Sequence, residues 1–203
     1  MLVDFCGAQA DICGVDANDL PGVVDWLHSG ADVGVDALEN LFVEVAPGLM
    51  LLPRGSRPLP VSAGEIDPDR IGMLISTLAA MESVADVGVV DMDLLSPRVL
   101  IVGGSDRTVM VVRSCYLALR RLGRLPVVID SLVEVVEAGR SLRTVDIEAV
   151  AAMPVNARLR VDPTVARSVD AGRIVHRTPR PLRRLAEDIR GSFAELSPAG
   201  VRR

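Results

Sequence analysis

Not one of the 203 residues is lysine, and the 22 basic residues are all arginine. This absence excludes every mechanism that requires a lysine amine. Together with the abundance of Ala, Val and Gly, it points to a GC-rich genome, a matter of mutation bias with no bearing on the fold. Aromatic residues make up only 2% of the chain, so a core has to be built from Val, Leu, Ile, Ala and Met. No apolar run approaches the ~20 residues of a membrane-spanning helix, and the start lacks the basic segment of a secretory signal. A cytoplasmic chain is expected. Cysteine is limited to Cys6, Cys13 and Cys115, an odd number without metal-ligand spacing, and histidine to His28 and His176. That composition argues for reduced structural thiols and against a zinc site.

What is present is a large apolar content, 49%, which excludes disorder and suffices for the core of one α/β domain. Charge is unevenly placed. Residues 1–153 carry 11 Arg against 22 acids, a net of −11, and residues 154–203 carry 11 Arg against 5 acids, a net of +6, together the chain's −5. A basic segment behind an acidic body reads in two ways. It is a DNA or anionic-membrane contact, or it is a solvated arginine face that meets the acidic body of its own or a neighbouring chain. The acidic balance and the scarcity of stacking aromatics favour the second.

Patterning predicts alternating strands and helices. Val3 to Phe5 ends a first strand, and Leu20–His28 reads as a short helix with Asp19 as cap. Leu41–Val45 and Leu49–Leu52 flank a Pro-Gly turn. Asp67-Pro68 starts a helix to about Met81, with Ile71, Leu74, Ile75 and Leu78 on one face. VADVGVVDMD (84–93) reads as a central parallel strand buried on both faces and ending in Asp91 and Asp93. RVLIV (98–102) reads as the next strand, Thr108–Leu122 as a long helix and LPVVID (125–130) as a strand. A short helix over Val145–Ala152, an edge strand within 154–161, a capped helix ending at Gly172 and a last amphipathic helix from Pro181 complete the pass. That last helix carries Leu182, Leu185, Ile189 and Phe193 along one side.

Strands that are plain apolar runs alternating with helices imply an α/β fold: a doubly wound, mostly parallel sheet with helices on both faces, in a single domain over 1–203. In such folds ligands sit at the carboxyl ends of the strands. The residues expected there are Asp4 and Cys6, Asp91 and Asp93, the Gly103–Asp106 turn, and Asp130. Each also has a plain structural reading: Asp4 as a solvated acid near a chain end, Asp91 as a loop anchor, Gly103-Gly104 as a simple turn.

At these strand ends the sequence resembles the ParA/MinD-type P-loop ATPases. LVDFCGAQADI (2–12) is similar to the stretch around the family's D-x-D, VADVGVVDMD to its Walker B strand, and RVLIVGGSDRTVMVVRSCYLALRRLG to the strand and helix after Walker B. VVIDS stands where the family has an apolar run ending Asn-Arg, and residues 139–172 resemble its C-terminal part. The flavour is that of the CpaE-like and septum-site-determining branch of actinobacteria and pilus-secretion loci. The resemblance implies that Asp4 is the first D-x-D carboxylate and that Asp91 is the Walker B aspartate, in outer-sphere support of Mg²⁺. It also implies that Asp130 takes the place of an Asn that contacts adenine.

The departures matter as much. The family opens with a strand, a glycine-rich, lysine-containing loop that cradles phosphates, and a helix; no such segment is present here. Cys6 stands at the second D-x-D position, and a thiol does not replace a hard carboxylate around Mg²⁺. This leaves two expectations. In the first, the chain is a non-hydrolytic relative that acts through protein partners, as a homodimer or with a component of division or pilus assembly, and needs neither ATP nor Mg²⁺. In the second, it is a fragment of an active ATPase whose phosphate-binding segment, roughly 30 residues, is encoded upstream of Met1. In either case, with a central strand missing, its neighbours are expected to close up and pair or the chain to be marginally stable, since an unpaired buried backbone group costs about 1–3 kcal/mol.

Overall fold

The computed structural model describes residues 1–17, 19–88 and 96–195. Asp91 and Asp93 therefore lie outside the described residues. The chain forms two compact units, Met1–Asp106 with Val169–Arg177, and Arg107–Ser168 with Thr178–Arg203. Among the described residues the expected single sheet is replaced by two, one in each unit. Both are largely or wholly parallel and carry helices, so the α/β class holds.

In the first unit, β1 (Leu2–Asp4) lies between β3 (Leu49–Leu52) and β4 (Val84–Asp86), parallel to both, with Asp4 opposite Asp86. β2 (Val43–Ala46) completes the sheet antiparallel to β3 across the Pro47-Gly48 turn, where Gly48 takes φ 76°. Of the run 84–93 only residues 84–88 are described; the strand there is three residues long and Val84 is 68% exposed, so this described part is not buried on both faces. The sheet is covered by α2 (Val23–Leu27), α3 (Val35–Glu39) and α4 (Pro68–Ala80), around a core that includes Val3, Phe5, Trp26, Leu52 and Leu74. α1 (Gln9–Cys13) follows the loop after β1.

α4 forms as its sequence dictates. Asp67 accepts the Asp69 N–H at 3.0 Å, Pro68 opens the first turn, and Ile71, Leu74 and Leu78 turn inward at helical spacing. Its Arg70 is 4% exposed, and among the described residues no carboxylate pairs with it. The guanidinium stacks on Trp26 at 3.9 Å and donates to the carbonyls of Trp26, Gly30 and Val33 and to Ser29 Oγ. Carbonyl dipoles at the end of α2 thus take the place of a counter-ion. α2 is shorter than expected because Gly22, not Asp19, caps it. Gly22 N–H donates to Asp25 Oδ2 at 3.0 Å, and the N–H groups of Val23 and Val24 bind the carbonyls of Pro53 and Arg54.

RVLIV is a helix, not a strand. Ser96 caps α5 (Pro97–Gly103), accepting the Arg98 N–H at 3.3 Å, and Pro97 stands at its first position. A run of four apolar residues has no period of its own, and the cap in front of it decides its conformation.

In the second unit β5 (Val109–Arg113), β6 (Ser131–Val136) and β7 (Ala157–Arg160) run parallel, with β6 central and β7 at an edge, as expected for 154–161. β5 falls inside the expected long helix: its β-branched alternation, buried at Met110 and Val112, suits a pleated sheet. The helix, α6 (Tyr116–Leu122), starts only after Cys115, whose Sγ accepts the Ala118 N–H. Leu125–Asp130 is not a strand; the residues after it, through Val136, pair instead. α7 (Thr144–Ala151) packs against α6, and α8 (Pro163–Asp170) is capped by Asp162. α9 (Arg180–Glu195) packs on β6 and β7, with Leu182, Leu185, Ile189 and Phe193 half-buried along it. Glu134, 2% exposed in mid-β6, is satisfied by Ser114 Oγ, Thr144 Oγ1 and Arg158 Nε at 2.8, 2.8 and 3.0 Å. It ties all three strands to α7.

Candidate functional site at the carboxyl end of the first sheet

β1 is short because the chain must turn at once. Gly7 adopts φ 86°, and the turn directs three backbone donors back into the strand's last side chain. Asp4 Oδ1 accepts the N–H groups of Cys6 and Gly7 at 2.8 and 2.7 Å, and Oδ2 accepts that of Gln9 at 2.8 Å, where α1 begins. Asp4 is wholly buried, so it is neither solvated nor free. Arg54, just past β3, donates from Nη1 to the Cys6 carbonyl at 3.1 Å and lies over Gly7, where a Cβ would meet that nitrogen at 2.4 Å. The positive φ favours glycine here, while the guanidinium above it is the movable end of a flexible side chain.

Asp86, opposite Asp4 at the end of β4, accepts the Gln9 side-chain amide at 2.6 Å and the Cys6 thiol at 3.4 Å. Arg98 anchors the far side through the Val87 carbonyl at 3.2 Å. Burial, then the charge of Asp86 and its hydrogen bond with the thiol, then the charge of Asp4, push the Cys6 thiol up to about 12, against an opposing pull from Arg98. The thiol is therefore protonated at neutral pH and is neither a nucleophile nor a ready ligand.

Donor atoms of Asp4, Cys6 and Asp86 lie within 4.8 Å of one another, close enough to share an ion. They do not fit Mg²⁺, which demands a near-octahedral shell of oxygens. One of the three is sulfur, and both oxygens of Asp4 already receive backbone N–H groups. The arrangement can hold the β1–α1 loop rigid and present the Cys6, Arg54 and Arg98 side chains at the sheet's carboxyl end.

Of the sequence-expected site residues, Asp4 and Asp130 are described, each within its own unit, and Asp91 lies outside the described residues. Asp4 stands at the centre of this arrangement. Asp130 belongs to the second unit and precedes β6, accepting the Thr108 N–H at 2.8 Å, so it lies at the amino end of its strand and not the carboxyl end. The strand boundary moved by one segment, and the residue changed ends with it. Gly103 and Gly104 close α5 rather than follow a strand. Asp86, Gln9, Arg54 and Arg98 were not anticipated. The signal available for Asp86 and Arg54 is their position directly after short apolar runs, VA and LLP.

The carboxyl end of the second sheet carries its own cluster. Glu137, one residue past β6, pairs with Arg113 at the end of β5 and with Arg140, the latter through Nε at 2.6 Å. The Arg140 hydrogen bond, opposed by some desolvation and reinforced by Arg113, holds the Glu137 carboxyl below its ordinary range. An open cavity of about 500 Å³ lies here, lined by Glu137, Ala138, Gly139, Arg140 and Val161.

No protein-family model matches the chain. No curated protein matches it by sequence. Solved structures do. The septum site-determining protein MinD from Pyrococcus horikoshii, complexed with Mg-ADP, aligns over 96% of this chain and 83% of its own, with TM-score 0.64 and 15% identity. A ParA family ATPase from Chlorobium tepidum aligns over 95% and 84%, with TM-score 0.61 and 16% identity. The MinC:MinD cell division complex from Aquifex aeolicus aligns over 100% and 85%, with TM-score 0.59 and 15% identity. The chain shares the α/β fold of the ParA and MinD ATPases.

Proposed function

We propose that this chain is a non-hydrolytic ParA/MinD-like regulatory protein in spatial organisation: septum-site determination, chromosome partitioning, or assembly of a pilus or secretion system. The observation that carries the reading is the state of Asp4. The carboxylate that the resemblance assigns to the D-x-D motif is buried and takes three backbone N–H groups, and Cys6, two residues on, is a protonated thiol. A chain without lysine has no amine to neutralise phosphate charge. The reading has the chain act through protein contacts, as a homodimer or with a division or pilus-assembly component, from a cytoplasmic position. The neighbour solved as a MinC:MinD complex supports partnership of this kind. None of the described helices is long and apolar enough to cross a membrane.

ATP binding by calorimetry and phosphate release with Mg²⁺ test the proposal. The expected outcome is no binding at micromolar nucleotide and no turnover. Micromolar binding, or turnover removed by Asp91→Ala, overturns it.

A further inference from the structure

We draw no further inference here: the strongest candidate, the open cavity of about 500 Å³ at the carboxyl ends of β6 and β7 beside the Arg113–Glu137–Arg140 ion pairs, belongs to the carboxyl-end region already described, and nothing in the structure shows what occupies it.

Discussion

A single carboxylate organises the first sheet's carboxyl end. Asp4 receives three backbone N–H groups from the loop that follows β1. Hydrogen bonds to a buried charge are worth more than neutral ones, and donors left unmet cost the full desolvation penalty. Asp4→Ala should lose about 2–4 kcal/mol, read as a fall in the urea midpoint at unchanged m-value. Asp4→Asn should fall between, because its amide offers one acceptor oxygen in place of two. The neighbouring Cys6 gives a second measurement. Its thiol sits near 12, above the ordinary value of 9.0, so it stays neutral until the solution is strongly alkaline. Its side chain is nonetheless exposed. Alkylation of Cys6 by iodoacetamide at pH 8 should be far slower than that of an unfolded cysteine, and should accelerate only above about pH 10. Removing the acidic neighbour with Asp86→Ala should bring the onset to lower pH. Because the folded value is raised, the contribution to stability is complete below the ordinary thiol range and is lost as pH rises through the folded value. Fast labelling at pH 8 in the native protein would show that the two carboxylates do not hold the thiol.

At the scale of elements, helix ends decide more than helix interiors. α7 ends on Ala152 at φ 53°, a left-handed cap that glycine occupies without steric cost. Ala152→Gly should raise stability by up to about 1 kcal/mol, seen as a higher melting temperature; a loss would mean that the Ala152 methyl packs better than the backbone is strained. The same logic explains what was legible beforehand. α4 announced itself completely, with Asp67-Pro68 in front and four apolar residues at helical spacing behind. The β2–β3 hairpin announced itself through Pro47-Gly48. α5, β5 and β6 did not, because VLIV gives no deciding period, the alternation of TVMVV is too short to settle strand against helix, and VVIDSLVEVV is an apolar stretch broken by Asp130, Ser131 and Glu134. For α5 the decision lay in Ser96-Pro97; for β6 it lay in the parallel register with β5 and β7, which one strand's sequence does not contain. That one slip moved Asp130 to the wrong end of its strand and hid Glu137. Asp4 was readable because β1 is short and has one plausible register. Its saturation by backbone donors was not, because it depends on the left-handed turn at Gly7.

For the whole molecule, charge follows the two units rather than a basic tail. Residues 1–106 and 169–177 hold 6 Arg and 18 acids, a net of −12; residues 107–168 and 178–203 hold 16 Arg and 9 acids, a net of +7. A positive unit of this size invites a nucleic-acid reading, but its construction argues against one. Arg113 and Arg140 are engaged by Glu137, and Arg158 by buried Glu134. Arg120 and Arg121 stand at the end of α6, on a different element from Arg183 and Arg184 of α9. The arginines therefore do not form a single stripe on one helix or strand. Stacking platforms are missing as well. Of five aromatic residues, Phe5 and Trp26 are buried, Phe42 and Phe193 are half-buried, and Tyr116 alone is exposed. Sequence-independent DNA affinity scales with the number of phosphates neutralised, and Arg113, Arg140 and Arg158, held by Glu137 and Glu134, are drawn away from that role. A mobility-shift titration at physiological salt should show no complex below micromolar protein, and affinity should fall only weakly as salt is raised. Tight binding with a steep salt slope, lost on Arg183→Ala with Arg184→Ala, would mean that the exposed side of α9 is a nucleic-acid surface.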